Sequence, residues 1–281
     1  MKGLWLALFT IREAIIKGTL LFYFVFGNIV IALFAIAIGS STQNGLQVLT
    51  FFGNQITPPI ADLNPVDFIL FQLFQGSTQA VILLGLFATA GLIPSMLEKG
   101  TVELYLSKPL SRTEILLSRS LGACGGIGAN VLYFSIGIWL VFGFKVGVWH
   151  GGFLLASLMV VVTYAFYFSF VALSAVISKG TGLTIMLSFA YQMYAGVMEA
   201  REMLLYRLWD NDMYHRLLDG LYYATPQTSA MLNNSAILIG QLPFKSAMTP
   251  TEFTIMPFLY SFLSAALFYG GASWYFSRQD Y

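Results

Sequence analysis

Long apolar stretches alternate with short polar segments along the chain, and six of these stretches contain no Lys, Arg, Asp or Glu. A helix needs about 20 mostly apolar residues to cross a membrane, and a charge near its centre is costly. The pattern therefore predicts an all-α, polytopic membrane protein with six transmembrane helices. The charge-free stretches are residues 18–61, 68–97, 120–144, 146–178, 180–198 and 253–277.

Composition supports the same class of protein. Of the 281 residues, 57% are hydrophobic and only 10% are charged, and the mean hydropathy is +0.74. No water-soluble domain needs that balance. We therefore expect a single membrane domain over residues 1–281, with the lipid bilayer and not nucleic acid as its partner.

The basic residues predict the orientation. An N-terminus inside the cell leaves nine Lys and Arg residues on the cytoplasmic side and five outside. Because cytoplasmic loops carry the excess of positive charge, both termini are predicted to be cytoplasmic, in the inner membrane of the cell. The inside set is Lys2, Arg12, Lys17, Lys99, Lys108, Arg112, Arg119, Lys179 and Arg278, and the outside set is Lys145, Arg201, Arg207, Arg216 and Lys245.

Three capping patterns predict where helices begin. Asn64, Ser111 and Thr249 each precede an acidic residue by three positions, and proline follows Asn64 and Thr249 directly. They should open the second, third and sixth spans. A helix over residues 65–97 would be about 50 Å long at 1.5 Å per residue, so we expect that span to tilt, to protrude or to kink near Pro94.

Two segments between the spans are expected to carry short helices. One is a surface helix around residues 46–52. In the 199–252 segment, Asp210-Asn211-Asp212 should cap a helix through Tyr223, and Thr225-Pro226 should open another through Ile239. The helices of the 199–252 segment would lie on the outer surface or dip into the outer leaflet.

The first 17 residues are predicted to form an interfacial helix. Leu4, Leu8, Ile11 and Ile15 share one helical face, while charged residues interrupt any long apolar core. Such a helix lies on the inner leaflet and is not a cleavable signal. An ordinary juxtamembrane start to the first span is the alternative.

The segment between the second and third spans is the most informative part of the chain. Charged residues cluster there between two apolar spans, and Pro109 and Ser111 break and restart the chain. Gly100 permits a sharp exit from the span, and Leu104 and Leu106 offer apolar surface to a groove. Taken alone, a charged amphipathic loop is typical of many cytoplasmic connections.

The residues of this segment resemble the membrane subunits of ATP-binding-cassette (ABC) transporters of the type-2 permease family. In that family the stretch forms a coupling helix that docks on the ATPase. Tyr105 stands where leucine is usual, and Ser118-Arg119 replaces a common Gly-Lys, which we expect to tune the choice of partner. The matching residues are Glu98, Gly100, Thr101, Leu106, Ser107, Pro109, Ser111, Arg112, Ile115, Leu116 and Leu117.

The resemblance implies a non-catalytic permease subunit. Residues 1–17 would be its elbow helix, 98–112 its cytoplasmic coupling segment and 199–252 an outer or re-entrant segment. The implied partners are a cytosolic ABC ATPase dimer, which would hold ATP and Mg²⁺, and a second copy of the permease or a close relative of it. The implied coupling residues are Glu98, Lys99, Gly100, Thr101, Glu103, Leu104, Leu106, Ser107, Lys108, Pro109, Ser111 and Arg112.

The cargo is constrained by the lack of charge inside the spans. A hydrophobic or amphipathic cargo for export, or work on a periplasmic or extracellular partner, fits this better than a small hydrophilic ion. An ion-driven secondary transporter lacks the ionisable midplane residues that it would need. A structural membrane protein without an ATPase stays open as an alternative.

Catalytic motifs do not occur in the sequence. It has no Gly-x-x-x-x-Gly-Lys-Ser/Thr phosphate loop and no His-Glu-x-x-His motif, and its one cysteine, Cys124, is predicted to be a packing residue. No directly bound cofactor or metal is expected. A copper or metallocofactor-assembly system is the alternative, since one member of the family, the permease that serves maturation of nitrous oxide reductase, is tied to copper-site assembly. The candidate ligands would be Met203, Met213 and His215.

Gly122 and Gly126 form a small-x-x-x-small pair in the third span. Small residues let helix backbones approach closely in lipid, so this face should pack against another helix. The pattern leaves open whether that helix belongs to the same chain or to a partner.

Overall fold

The computed structural model describes residues 2–43, 46–56, 64–98, 100–101, 110–240 and 252–279. Over these residues the chain forms ten α-helices, one 3-10 turn at Pro94–Leu97 and a small antiparallel sheet of strands β1 Ile38–Gln43, β2 Leu46–Phe51 and β3 Asn54–Gln55. The helices are α1 Lys2–Ile16, α2 Thr19–Ala37, α3 Pro65–Thr89, α4 Arg112–Val146, α5 Gly151–Ser178, α6 Thr181–Glu199, α7 Arg201–Leu204, α8 Asp212–Ala224, α9 Thr228–Ala236 and α10 Met256–Ser277.

Four segments of the described chain are long and apolar enough to cross a membrane, and they indicate that the protein is membrane-embedded. They are α2, α3 together with the 3-10 turn, α4 and α5. Helices α6 and α10 occupy the fifth and sixth predicted windows and are 19 and 22 residues long. Their mean hydropathy is lower than that of the other four segments, because tyrosine, serine and glycine lie among their aliphatic residues.

Helix α5 lies at the centre of the bundle and packs against α4, α6, α9 and α10. Its buried tyrosines also tie it to its neighbours. The Tyr164 hydroxyl lies 2.7 Å from the Thr89 hydroxyl of α3, and the Tyr167 hydroxyl donates to the Ser188 carbonyl of α6 at 2.9 Å. Both phenols are fully buried, so these bonds replace the water that they lose on folding.

Helix α4 packs against α1 and α2 through its glycines. A Cβ added at Gly122 would overlap the Ala7 carbonyl oxygen and lie 2.7 Å from Thr10 Cβ, and a Cβ at Gly126 would lie 2.8 Å from the Leu20 side chain. The small-residue face of the third span therefore contacts helices of the same chain, which answers the question that the sequence left open.

Helix α1 uses one stripe to contact α4 and leaves another exposed. Leu6, Thr10 and Ala14 are buried at helical spacing. Leu4 and Leu8, on the predicted interfacial face, are exposed. The apolar face expected to meet lipid is thus available at the surface of the bundle.

Several predicted helix starts are confirmed. The Asn64 side chain accepts from the Val66 N–H at 3.0 Å, Ser111 forms a capping box with Glu114, and Asn211 caps α8. Of the alternatives expected for the second span, the structure shows a break near Pro94: α3 ends at Thr89, and a 3-10 turn follows at Pro94–Leu97.

The prediction of a surface helix around residues 46–52 is wrong, because residues 46–51 form strand β2. This strand pairs with β1 in a register that begins with Ile38 opposite Phe51. Phe52 and Gly53, with φ of 50° and 80°, then form the two-residue turn to β3. Two consecutive positive φ values give the turn twist that suits a hairpin. A short run of apolar and β-branched residues reads equally well as helix or strand without its partner strand.

The predicted start of the sixth span is also wrong. Thr249 lies outside the described residues, but residues 252–255 are not helical, and α10 begins at Met256. The Asn234 amide of α9 explains the delay, since it donates to the Thr254 carbonyl and accepts from the Thr254 N–H at 2.9 Å. A residue whose backbone groups are both held by a side chain does not enter a helix there.

Replacing Gly122 by alanine should destabilise the bundle. Its new methyl group would force α1 away from α4, and overpacking of this kind costs about 1–3 kcal/mol. We expect the unfolding midpoint of the detergent-solubilised protein to fall by several degrees, measured by intrinsic fluorescence during heating.

Gly125→Ala is the matched control, one helical turn away. Its nearest neighbour would be Ile11 Cδ1 at 3.8 Å, an ordinary contact, and alanine favours a helix by about 1 kcal/mol over glycine. This variant should be as stable as the original protein or more so. Equal destabilisation by both substitutions would contradict the packing described here.

Candidate functional site

The 98–112 segment joins α3 to α4 at one end of the bundle, which we call the base. The base comprises α1, the 3-10 turn, the first turns of α4 and the last turn of α10. Two arginines at the start of α4, Arg112 and Arg119, connect these elements.

Arg119 is the largest fully buried side chain in the described residues, with 1% of its surface exposed. Its guanidinium forms an ion pair with Glu13 of α1 and donates to the Leu92 carbonyl after α3 at 2.9 Å. A further bond reaches the Thr10 hydroxyl at 3.5 Å. One side chain of α4 therefore holds both α1 and the end of α3, and its charge is compensated as a buried charge must be.

Glu13 is shared between two cations. Its second oxygen accepts from Lys17 Nζ at 2.8 Å and from the Ser95 hydroxyl at 3.3 Å. Burial raises the pKa of Glu13, but hydrogen bonds and charges from Lys17 and Arg119 outweigh burial, so the pKa is lowered below 4.5. The carboxyl group is therefore ionised at neutral pH and links Ser95 to both helices.

Arg112 holds the other end of the 98–112 segment. Its Nη1 donates to the carbonyl oxygens of Phe276, Ser277 and Gln279 at 3.1, 3.2 and 2.6 Å. These carbonyls end α10, where helical oxygens lack partners within the helix and a positive charge is stabilising. The start of α4 and the end of α10 are thereby joined.

The described part of the segment itself has a defined geometry. Glu98 is exposed, its carbonyl accepts from the Thr101 N–H at 3.1 Å, and Gly100 has a φ of +84°, which glycine adopts most readily. Ser111 and Glu114 exchange side-chain to backbone bonds of 3.2 and 2.8 Å at the start of α4. The remaining predicted coupling residues lie outside the described residues: Lys99, Glu103, Leu104, Leu106, Ser107, Lys108 and Pro109.

Sequence reasoning missed the inward role of Arg119. The expectation that Arg119 tunes partner choice does not fit its burial, since a side chain with 1% exposure cannot touch a docked protein. Two signals were available in the sequence: a lone charge two turns into an apolar helix, and a Glu13–Lys17 pair at i, i+4 on the preceding amphipathic helix.

A second polar cluster lies in the 199–252 segment. Arg201 is buried and donates to Asp219 at 2.8 Å, and the guanidinium lies 3.9 Å from the Tyr222 ring centre. Tyr206 also donates to Asp219, at 2.7 Å. Burial raises the pKa of Asp219, but the bonds from Arg201 and Tyr206 outweigh it, so the pKa is lowered. This cluster fixes α8 against the end of α6.

The three metal candidates, Met203, Met213 and His215, have different surroundings. Met203 lines a cleft of about 600 Å³ beside Arg201, whereas Met213 is exposed and His215 stacks on Tyr206 with ring centres 4.1 Å apart. Within the described ranges no group of three or more His, Cys, Asp or Glu residues could hold a metal ion. Cys124 is half-buried in α4.

No protein-family model matches the chain, and no curated protein matches it either. The function is therefore inferred from the base and the segment that it anchors.

Replacing Glu13 by glutamine should destabilise the protein strongly. The substitution leaves the Arg119 guanidinium buried without its counter-ion, and breaking a buried pair in this way costs about 3–5 kcal/mol. Thermal unfolding in detergent should show a marked drop in midpoint. Glu202→Gln is the control. Glu202 is exposed and its ion pair with Arg201 is long, at 3.9 Å, so this substitution should leave the midpoint nearly unchanged.

The same carboxyl predicts a pH dependence. Because its pKa is lower in the folded state than the ordinary 4.5, the stability that Glu13 contributes is complete above that value and is lost as the pH falls through the lowered pKa. Midpoints measured from about pH 6 to about pH 3 should therefore fall less steeply for Glu13→Gln than for the original protein. Parallel curves would contradict this assignment.

Proposed function

We propose that the chain is the membrane subunit of an ABC transporter of the type-2 permease family. A separate ATPase would bind the 98–112 segment and drive transport. The observation that supports this best is the double anchoring of that segment. The 3-10 turn that leads into it is tied to α1 and α4 through Ser95, Glu13 and Arg119, and its end is tied to α10 through Arg112.

Such anchoring suits the transmission of force. Charge-assisted hydrogen bonds away from water are short, directional and strong, so the helices that they join move together. The capping box at Ser111 fixes the first turn of α4. A displacement at either end of the segment would therefore reach α1, the end of α3, α4 and α10.

The proposal includes six spans, with α6 and α10 as the fifth and sixth. Helix α1, the start of α4 and the end of α10 meet at the base, which is the arrangement that an even number of crossings produces. We assign the base to the cytoplasm of the inner membrane, with α1 as the elbow helix and α7, α8 and α9 on the outer side. The exposed Leu4, Trp5 and Leu8 of α1 supply an apolar face for the inner leaflet.

The partners in this proposal are a cytosolic ATPase dimer, which carries ATP and Mg²⁺, and a second copy of the permease. The charge-free stretches of the sequence offer little to replace the water of a small hydrophilic ion, which favours a hydrophobic or amphipathic cargo, exported or handed to a partner outside the membrane. Among the described residues around Met203, none favours copper handling over this proposal.

The test is a double substitution in the segment, Glu103→Arg with Leu106→Arg. The protein is purified from native membranes in a mild detergent, and nucleotide-binding chains that co-purify are identified by mass spectrometry. The original protein should retain an ATPase, and the double variant should lose it while its unfolding midpoint stays the same. Retention of the ATPase by the variant would refute the docking assignment.

The far end of the bundle provides a matched control. Glu202→Arg with Leu208→Arg makes the same two changes at exposed positions in the 199–252 segment. This variant should keep the ATPase. If no nucleotide-binding chain accompanies even the original protein, the alternative of a structural membrane protein without an ATPase is supported instead.

A further inference from the structure

An open, almost wholly apolar cleft of about 580 Å³ separates α2 from α3. Aromatic and aliphatic side chains of both helices line it, including Phe26, Val30, Phe34 and Leu73. Gly76 on α3 faces open space, with no atom within 4 Å of an added Cβ. The cleft lies between two helices long and apolar enough to cross a membrane, so hydrocarbon and not water is the medium that can fill it.

The cleft continues toward the base as a second cavity of about 430 Å³. Tyr23 and Leu84 line both cavities, and Lys17 lies at the base end of the second. Along α2 the combined groove extends from Thr19 to Phe34, roughly 22 Å at 1.5 Å per residue. One leaflet of hydrocarbon is about 15 Å deep, so the groove is long enough for an acyl chain.

The base end of the groove carries excess positive charge. Lys17 Nζ donates to Glu13 at 2.8 Å and to the Ser95 hydroxyl at 3.4 Å, and 45% of its side chain is exposed. An ammonium group has three N–H donors, so among the described residues one is left for a ligand. Glu13 also pairs with Arg119, so among the described residues two cations share this one carboxylate.

We propose that this groove binds an anionic phospholipid of the surrounding bilayer. Its headgroup phosphate contacts Lys17, and one acyl chain lies between α2 and α3 past Tyr23 and Gly76. Hydrocarbon in the cleft restores the dispersion contacts that an empty groove would lack. A phospholipid with no net charge gains less from the positive end, so the site prefers anionic lipid.

The experiment measures lipid binding to the purified full chain by native mass spectrometry. The detergent-solubilised protein is titrated with phosphatidylglycerol or with phosphatidylcholine of the same acyl chains. We expect phosphatidylglycerol to bind about tenfold more tightly, because the choline of phosphatidylcholine places a second positive charge beside the phosphate and offsets its attraction to Lys17. Equal binding of the two lipids would overturn the proposal.

Three variants locate the site. Lys17→Gln should abolish the preference between the lipids, and Lys17→Arg should keep it. Gly76→Leu should fill the cleft and weaken both lipids by about tenfold, since an ordered lipid must then leave the groove. Gly270→Leu on α10, at a position equally free of neighbours, should bind as the original protein does.

Two further results, both with Gly76→Leu, would overturn the assignment. One is unchanged lipid binding by Gly76→Leu, which would place any bound lipid elsewhere. The other is a loss of self-association by Gly76→Leu with lipid binding intact, which would indicate that a second copy of the chain occupies the groove. Neither result bears on ATPase co-purification, so this site and the proposed function can fail separately.

Discussion

The ion pair between Arg119 and Glu13 is the interaction on which the base of the bundle depends. A guanidinium with 1% exposure has given up its water, and it is tolerated because a carboxylate and the Leu92 carbonyl replace that water. Each partner comes from a different element: α4, α1 and the chain after α3. The pair therefore sets where the 98–112 segment leaves one helix and enters the next.

The glycines of α4 make this pair possible. Arg119, Gly122 and Gly126 are spaced three and four residues apart, so they lie on one face of the helix. Close approach of α1 at Gly122, where even a methyl group would overlap the Ala7 carbonyl, places Glu13 within reach of Arg119. Backbone proximity and charge pairing thus support each other, and neither would be strong alone.

Hydropathy and capping residues predicted most of the helices, because both signals depend only on residues that are close together in the sequence. The capping box at Ser111 is an example, since its two hydrogen bonds join residues three positions apart. What the sequence could not supply were contacts between distant segments. Strand β2 needs β1 as its partner, and α10 starts late because Asn234 holds Thr254 from another helix. The contacts of Arg119 with Glu13 and of Arg112 with Gln279 have the same origin, because these partners lie 106 and 167 residues away.

The spans of the bundle are buried to different extents, and the groove lies beside α2, the least buried of the four most apolar spans. In α5, 61% of the most apolar window is buried inside the protein, whereas in α2 the share is 22%. Helix α2 leans on α4 and leaves a gap toward α3, and the gap ends at Lys17. Lys17 and Arg119 share the Glu13 carboxylate, so whatever neutralises Lys17 changes how strongly Glu13 is held by Arg119. The proposed phosphate contact on Lys17 therefore lies one shared carboxylate away from the ion pair that anchors the segment between α3 and α4.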